Sequence, residues 1–418
     1  MSSETPAADT GFVWIWLPGA DEPVVAGRVD RRAGRFIFGY GRSYLDRANA
    51  IPIYAPELPL RPGVIEPPDG LAIANCLLDA GPDSWGRRVI INRLLGPAAT
   101  DDVELDELTY LLSAGSDRIG GLDFQHSATE YIARDNETAT LDELASASEL
   151  IQAGEQLPPA LEAALTAGSS VGGARPKALL RSGDRRLIAK FSSLTDEYPI
   201  VRGEFVTMRM AQRCGLHVAQ VELTDANGKD VLLVERFDRA AGSRHRSLQV
   251  SALTMLGLPE TAPHEASYGA LAEIIRERFT SPRQTQRELF SRMTYNILCG
   301  NTDDHARNHA AAWDGRMLTL TPAYDICTYL RGGGEATQAM MLGAPGDPYR
   351  FSQVRGAIDR CAVYGLDTGE ATDIVERQIA TIDESWDEIC DEARMTDAER
   401  AMFRRVFPHR CALEGLSG

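Results

Sequence analysis

Between Pro282 and Leu298 the chain places Leu289, Phe290, Met293, Ile297 and Leu298 on one helical face, an apolar stripe that demands burial. Ser281 reads as its N-cap, Pro282 as its first helical residue and Gln284 as the partner that closes a capping box. A polar loop follows at once: Asn301-Thr302-Asp303-Asp304-His305-Ala306-Arg307-Asn308. Beyond it the sequence predicts a short strand, a turn at Asp314-Gly315, a second strand from Met317 to Leu320, and then Ala323-Tyr324-Asp325. A core helix therefore delivers Asp303 and Asn308 into one loop at D-x-x-x-x-N spacing, and a hairpin returns Asp325 toward it.

The upstream segments come in an order that matters more than any one of them. Gly168 to Lys177 is a glycine-rich loop, and it leads into a hairpin that turns at Gly183-Asp184 and ends on Leu187-Ile188-Ala189-Lys190-Phe191, with a lysine inside an apolar strand. A helix with Glu204 near its start and Gly215 past its end follows. Strands over Val218 to Leu223 and Asp230 to Val234 flank Asn227-Gly228, and they run out into Glu235-Arg236-Phe237-Asp238-Arg239.

Phosphoryl transfer asks a protein chiefly to position and neutralise phosphate charge. It needs a backbone-donor loop, a lysine, a base aspartate, and an Asn with a second Asp to hold Mg²⁺. Taken singly, each signal has an ordinary rival. A loop with paired glycines is more often a plain turn, Lys190 a solvated strand-end lysine, Glu204 an acid favoured by the helix dipole, and Asp303 to Asn308 a polar cap. None of these rivals accounts for the shared order. His305 and His309, at i, i+4 beside two aspartates, also raise a zinc or di-metal reading, but the pair lacks the Glu of H-E-x-x-H and a further obvious ligand.

Composition narrows the class. The chain has 418 residues, enough for two or three domains, and 60 Asp plus Glu against 43 Lys plus Arg give a formal net charge of -17, which argues against a protein that coats phosphate backbones. Its seven cysteines are scattered without metal or redox spacing. With no signal-peptide pattern and no run of 18 apolar residues, a reduced cytoplasmic setting without membrane association is expected. Glu-, Ala- and Leu-rich residues 129–166 read as helices or a connector, and the chain from about Gly343 as mostly helical.

These residues resemble the HipA-type serine/threonine kinases of bacterial type II toxin-antitoxin systems. The resemblance rests on Ser170-Val171-Gly172-Gly173-Ala174-Arg175-Pro176-Lys177, Val234-Glu235-Arg236-Phe237-Asp238-Arg239, Thr302 to Asn308, and Leu320-Thr321-Pro322-Ala323-Tyr324-Asp325, and it extends to the aromatic N-terminal strands. It implies an α+β, protein-kinase-like bilobal fold: an N-terminal α+β subdomain over residues 1–130, an N-lobe-like region over 131–240 with the Gly-rich loop, Lys190 and hinge, and a helical C-lobe over 241–418.

It further implies that Asp303 is the catalytic base and that Asn308 and Asp325 hold Mg²⁺. ATP would meet Gly172, Gly173, Ala174, Arg175, Pro176, Lys177 and Lys190, with Glu235, Arg236 and Phe237 at the hinge and His305, Ala306, Arg307, Asn308, Tyr324 and Asp325 around the nucleotide. Glu204 would pair with Lys190. Ser170 takes the place of the family's autophosphorylated serine, although adjacent Ser169 leaves the modified hydroxyl open. The partners implied are a HipB-like helix-turn-helix antitoxin, DNA only through that antitoxin, and a protein substrate such as an aminoacyl-tRNA synthetase, typically glutamyl-tRNA synthetase. The alternatives are a same-fold phosphotransferase acting on a small molecule or lipid, and a catalytically silent binding module of a repressor complex.

Overall fold

A computed structural model describes residues 8–97, 104–135, 139–169, 173, 175–240, 242–331 and 334–416. The chain divides into two units, one formed by Met1–Thr195, Thr224–Val250 and Ala312–Arg316, the other by Asp196–Leu223, Ser251–Ala311 and Met317–Gly418.

The first unit opens with an antiparallel sheet in the order β3-β2-β1-β4, made of β1 (Thr10–Ile15), β2 (Val24–Arg32), β3 (Arg35–Tyr40) and β4 (Leu122–Gln125). Ala33-Gly34 turns β2 into β3 with both φ positive, 48° and 79°, as a tight hairpin turn requires. Among the described residues, the helices α1 (Arg42–Leu45), α2 (Asn75–Leu78), α3 (Ser84–Leu95) and α4 (Glu107–Ser113) lie in the connection from β3 to β4. Next come α5 (Leu141–Gln152), which begins on a Thr140/Glu143 capping box, and α6 (Pro159–Ala167).

A second sheet, in the order β5-β6-β8-β7, contains β5 (Lys177–Ser182), β6 (Arg185–Phe191), β7 (Val221–Ala226) and β8 (Lys229–Glu235), and β9 (Leu248–Ser251) follows. Its strands alternate. Ala178, Leu187, Ala189, Phe191, Val231 and Leu233 face the helices and pack with Trp85, Val89, Leu144, Ile151 and Leu165. Lys177, Lys190 and Leu232 are cross-strand partners, so they share the opposite face. Asn227-Gly228 forms the expected β7–β8 turn, with φ of 50° and 75°.

The second unit holds α7 (Ile200–Arg213), α8 (Ala252–Met255), α9 (Tyr268–Arg278), α10 (Pro282–Leu298), β10 (Ala310–Trp313), β11 (Leu318–Leu320), α11 (Val354–Ile358), α12 (Thr368–Glu392) and α13 (Asp397–Arg404). The apolar stripe on α10 is buried throughout. The tip of the β10–β11 hairpin belongs to the first unit, where the Trp313 indole Nε1 donates to Pro52 O at 2.9 Å.

Two local expectations need correction. Ser281 is the N-cap of α10, but its side chain makes no cap hydrogen bond and no capping box forms with Gln284. Its ψ of 67° departs from the extended value near 160° that lets the capping boxes at Thr140, Asp367 and Thr396 close. The strand expected from Val218 begins instead at Val221, because Val218 bridges in parallel to Ala323: Ala219 N donates to Ala323 O at 2.9 Å and Ala323 N to His217 O at 2.8 Å.

Candidate active site

The loop after α10 is fixed by its own polar side chains. Gly300, at φ +71°, ends the helix with its Cα facing the Val406 carbonyl so closely that a Cβ would lie 3.0 Å from that oxygen. Asn301 N then returns to Asn296 O at 2.9 Å. The Asn301 amide donates to Asn296 Oδ1 at 2.9 Å, and its own Oδ1 accepts Asp303 N at 3.3 Å. Asn308, buried in a single 3-10 turn over Ala306–Asn308, donates from Nδ2 to Asp303 O at 3.3 Å. Asp303 is thus held through both its N–H and its C=O, and its carboxylate Oδ2 accepts the Tyr329 hydroxyl at 3.2 Å.

Asp304 points the other way, into the protein. Its carboxylate is 3 % exposed and accepts the Tyr268 hydroxyl in a short bond, Asn296 Nδ2 at 2.7 Å and His309 Nε2 at 2.9 Å. Burial alone would raise its pKa, but the His309 imidazole and the Tyr268 hydroxyl more than reverse this and hold the carboxyl below its ordinary value. Burial, and after it the charge of Asp304, push the Tyr268 phenol well up, so it stays a donor. His309 has extended backbone, with φ -118° and ψ 129°, so His305 and His309 do not share a helical face and His309 is committed to Asp304. Nδ1 of His305 is buried without a hydrogen-bond partner.

The segment carrying Tyr324 and Asp325 is tied down on both sides. Buried Arg292 donates to Thr321 O at 2.8 Å and His217 O at 3.2 Å, Thr321 N returns to Ala310 O at 3.0 Å, and the Tyr324 hydroxyl donates to Arg307 O at 2.7 Å. The Arg307 guanidinium itself turns outward to Glu260 at 2.9 Å. Asp325 adopts φ +59°, a left-handed conformation uncommon for a residue other than glycine and one that clusters at functional sites. Ala306 and Glu204, the latter on α7, are both buried within the same unit.

In the first unit the structure brings Gly173, Lys177 and Lys190 together. Lys177 is 2 % exposed, and its ammonium lies so close to Gly173 that a Cβ there would meet Nζ at 1.9 Å. The same ammonium is 3.9 Å from Asp83 Oδ2, the N-cap of α3, while the Trp85 indole donates to Lys177 O at 2.9 Å and Trp85 N to Gly173 O at 3.4 Å. Pro176 O accepts Phe191 N at 3.0 Å, and Arg175 precedes it. Ser170, Gly172 and Ala174 lie outside the described residues.

Glu235 ends β8 half-buried and Phe237 is half-buried. Between them the Arg236 side chain is committed to the protein interior. It binds Asp238 at 2.8 Å and Asp117 at 3.0 Å and donates to Arg118 O at 2.6 Å. Asp238 also accepts Arg239 at 2.8 Å and Gly120 N at 2.7 Å. Arg236, Asp238 and Arg239 of the motif thus form an internal ion cluster with Asp117, and any ligand met at Arg236 would meet its backbone.

Sequence reasoning missed Asn296, Asn301, Asp304, Tyr268 and Tyr329 around the loop, and Asp83 and Trp85 beside Lys177. A buried Asn296 within the apolar stripe, answered by Asn301 just past the helix end, was a legible signal for the first two, since a core amide must find a partner. Nothing in the sequence pointed to Tyr268; a helix near Trp85 to Leu95 was legible, but not its place beside Lys177. The residue types are ones Mg²⁺ prefers: the Asn308 amide nitrogen is spent on Asp303 O, which leaves its oxygen to accept, and Asp325 carries a carboxylate, both hard oxygen donors.

Comparison with known proteins matches residues 169–386 to the HipA-like C-terminal domain and residues 18–125 to the HipA N-terminal domain. The chain is 28 % identical over 335 residues to Y4mE, a candidate kinase of Sinorhizobium fredii, covering 75 % of this chain and 76 % of that protein. It is also 28 % identical over 145 residues to the serine/threonine-protein kinase toxin HipA of Shewanella oneidensis, covering 30 % of this chain and 34 % of the relative. A solved complex of Shewanella oneidensis HipA with HipB and operator DNA superposes with a TM-score of 0.67 at 20 % identity, over 92 % of this chain and 93 % of that one, and shows the same α+β, kinase-like fold. With both characteristic domains matched in order, the chain belongs to the HipA family of kinase toxins.

Proposed function

We propose that this chain is an ATP- and Mg²⁺-dependent serine/threonine protein kinase acting as the toxin of a toxin-antitoxin pair. The observation that carries the reading is the hold on Asp303: its N–H, C=O and carboxylate are each engaged, with Asn308 in the same loop. Asp303 receives the proton of the acceptor hydroxyl as that oxygen bonds the γ-phosphorus and ADP leaves. Mg²⁺ held by Asn308 and Asp325 would neutralise charge on the phosphates. Lys190 and the backbone of Gly172 to Lys177 bind those phosphates, Glu204 pairs with Lys190, Glu235, Arg236 and Phe237 meet adenine chiefly through backbone, and His305, Ala306, Arg307 and Tyr324 line the nucleotide. The subdomains run over 1–130, 131–240 and 241–418.

Ser170, or its neighbour Ser169, is the autophosphorylation site in this reading. A phosphate there adds about −1.5 to −2 charge near the carboxylates of the metal site and disfavours the loop's ATP-covering position. The protein acts in the cytoplasm with a HipB-like helix-turn-helix antitoxin, reaches DNA through that partner, and phosphorylates a translation component such as an aminoacyl-tRNA synthetase, glutamyl-tRNA synthetase being the typical target. The net charge of -17 accords with leaving phosphate-backbone contacts to the partner.

The test is incubation with γ-labelled ATP and Mg²⁺, then phosphoproteomics of cells expressing wild type against Asp303→Ala. Label on the Ser169-Ser170 loop and on a cellular protein, both lost in the variant, is the expected result. Label passing only to a small molecule or lipid, or no turnover at all, would overturn it.

A further inference from the structure

Tyr329 lies four residues beyond Asp325 and outside every motif that carried the reading above. Its position is built rather than incidental. Thr328, fully buried, donates from Oγ1 to Cys299 O at 2.8 Å, and Tyr329 N donates to Gly300 O at 3.2 Å, so the segment leaving Asp325 is fastened to the C-terminal end of α10. From the same helix end Asn301 and Asp303 depart. One anchor thus fixes both the backbone that carries the phenol and the backbone that carries the carboxylate, and the two side chains meet as Tyr329 OH to Asp303 Oδ2 at 3.2 Å. Tyr329 is 38 % exposed and Asp303 is exposed beside it, so solvent, and an acceptor arriving from solvent, reaches the carboxylate.

A carboxylate free to rotate presents either oxygen at many angles, whereas proton transfer requires one lone pair aimed at the acceptor hydroxyl. Burial, and the negative charges of Asp303 and Asp325 among its neighbours, push the Tyr329 phenol up, so it remains a donor and never competes as a base.

We propose that Tyr329 is a positioning residue for phosphoryl transfer: its hydroxyl pins Oδ2 of Asp303 and so aims Oδ1 at the acceptor hydroxyl. The inference rests on the kinase reading of the site. In the step it serves, the acceptor O–H proton passes to Oδ1 while the acceptor oxygen bonds the γ-phosphorus and the bond to the β,γ-bridging oxygen breaks, releasing ADP.

The test compares wild type, Tyr329→Phe and Asp303→Asn in the full chain with γ-labelled ATP and Mg²⁺. It measures the single-turnover rate of autophosphorylation against ATP concentration, together with thermal midpoints. Tyr329→Phe removes one oxygen atom and should lower the saturating rate about tenfold, the weight of one hydrogen bond to a charged group, while half-saturating ATP and the midpoint stay within error. A saturating rate within twofold of wild type overturns the assignment of Tyr329 alone. So does a loss of rate accompanied by a rise in half-saturating ATP and a lower midpoint, which marks a merely structural role. Wild type that transfers no more label than Asp303→Asn overturns the kinase reading, and the proposal falls with it.

Discussion

The Asp304 carboxylate and the His309 imidazole meet at 2.9 Å beneath the loop that carries Asp303, and neither reaches solvent. Three donors converge on Asp304, and one of them, Asn296, continues through Asn301 to the backbone N–H of Asp303. Removing the hub strands all three donors in the interior, where each unpaired polar group costs about 1–3 kcal/mol. Asp304→Ala should therefore lower unfolding free energy by roughly 3 kcal/mol or more in urea titrations and cut any phosphotransfer rate. His309→Gln keeps an amide donor and should lose less. An Asp304→Ala variant as stable as wild type would show that the cluster does not support the loop.

The buried cluster of Arg236, Asp238, Asp117 and Arg239 makes a second stability prediction. Asp238→Ala leaves Arg236 and Arg239 without a main counter-ion and should cost about 3–5 kcal/mol, far more than an exposed pair such as Arg355 with Asp359. The pH dependence has a definite sign. Burial raises the carboxyl of Asp238, but Arg236 and then Arg239 more than reverse this and hold it below the ordinary 3.8. Its contribution is therefore complete above the unfolded value and disappears as pH falls through the lower folded one. The stability gap between wild type and Asp238→Asn should be constant from pH 6 to 8, approximately, and shrink in acid.

What the sequence made legible follows from which interactions are local. The order from glycine-rich loop to Asp325 could be read because hairpin turns such as Asn227-Gly228 and the stripe on α10 are coded within a few residues. The Asp303–Asn308 loop could be read as a spacing but not as a geometry: Asn301 and Asn308 hold Asp303 from nearby, but the Tyr329 hydroxyl on its carboxylate and the Asn296 side chain that anchors Asn301 come from positions that the spacing does not bring near it. Arg236 reads in a motif as a ligand contact and in space as an ion-cluster member, since Asp117 reaches it from over a hundred residues upstream. The capping box at Ser281 failed for a subtler reason. Residue types permitted it, but a ψ of 67° carries the hydroxyl out of reach.

Ser169, at the start of the glycine-rich segment, packs by its backbone against α3 at Gly86, in the first turn of that helix. A Cβ at Gly86 would sit 1.7 Å from the Ser169 carbonyl oxygen, a distance no side-chain rearrangement can relieve because the obstacle is backbone. Gly86→Ala should force Ser169 off the helix despite alanine's better helix propensity, worth about 1 kcal/mol in the opposite direction. Faster hydrogen exchange at Ser169, whose N–H bonds Thr166 O at 3.1 Å, together with a lower thermal midpoint, is the expected outcome. Unchanged exchange with a raised midpoint would mean that the close approach does not hold the loop.

Glu57 gives the opposite pH sign from Asp238. It is 6 % exposed, its Oε2 accepts Cys76 N at 2.7 Å, and its Oε1 is buried with no hydrogen-bond partner. Burial outweighs the Cys76 hydrogen bond and raises its pKa from 4.5 to about 7. The folded chain therefore holds a proton that the unfolded chain releases, so stability from this site is full below pH 4.5, declines as pH rises, and levels off above about 7. Glu57→Gln keeps an acceptor for Cys76 N but cannot ionise. Relative to that variant, wild type should lose about 3 kcal/mol between these limits, measured by urea unfolding at a series of pH values. A gap that stays constant across the range would mean that Glu57 releases its proton over the same pH range in the folded and the unfolded chain.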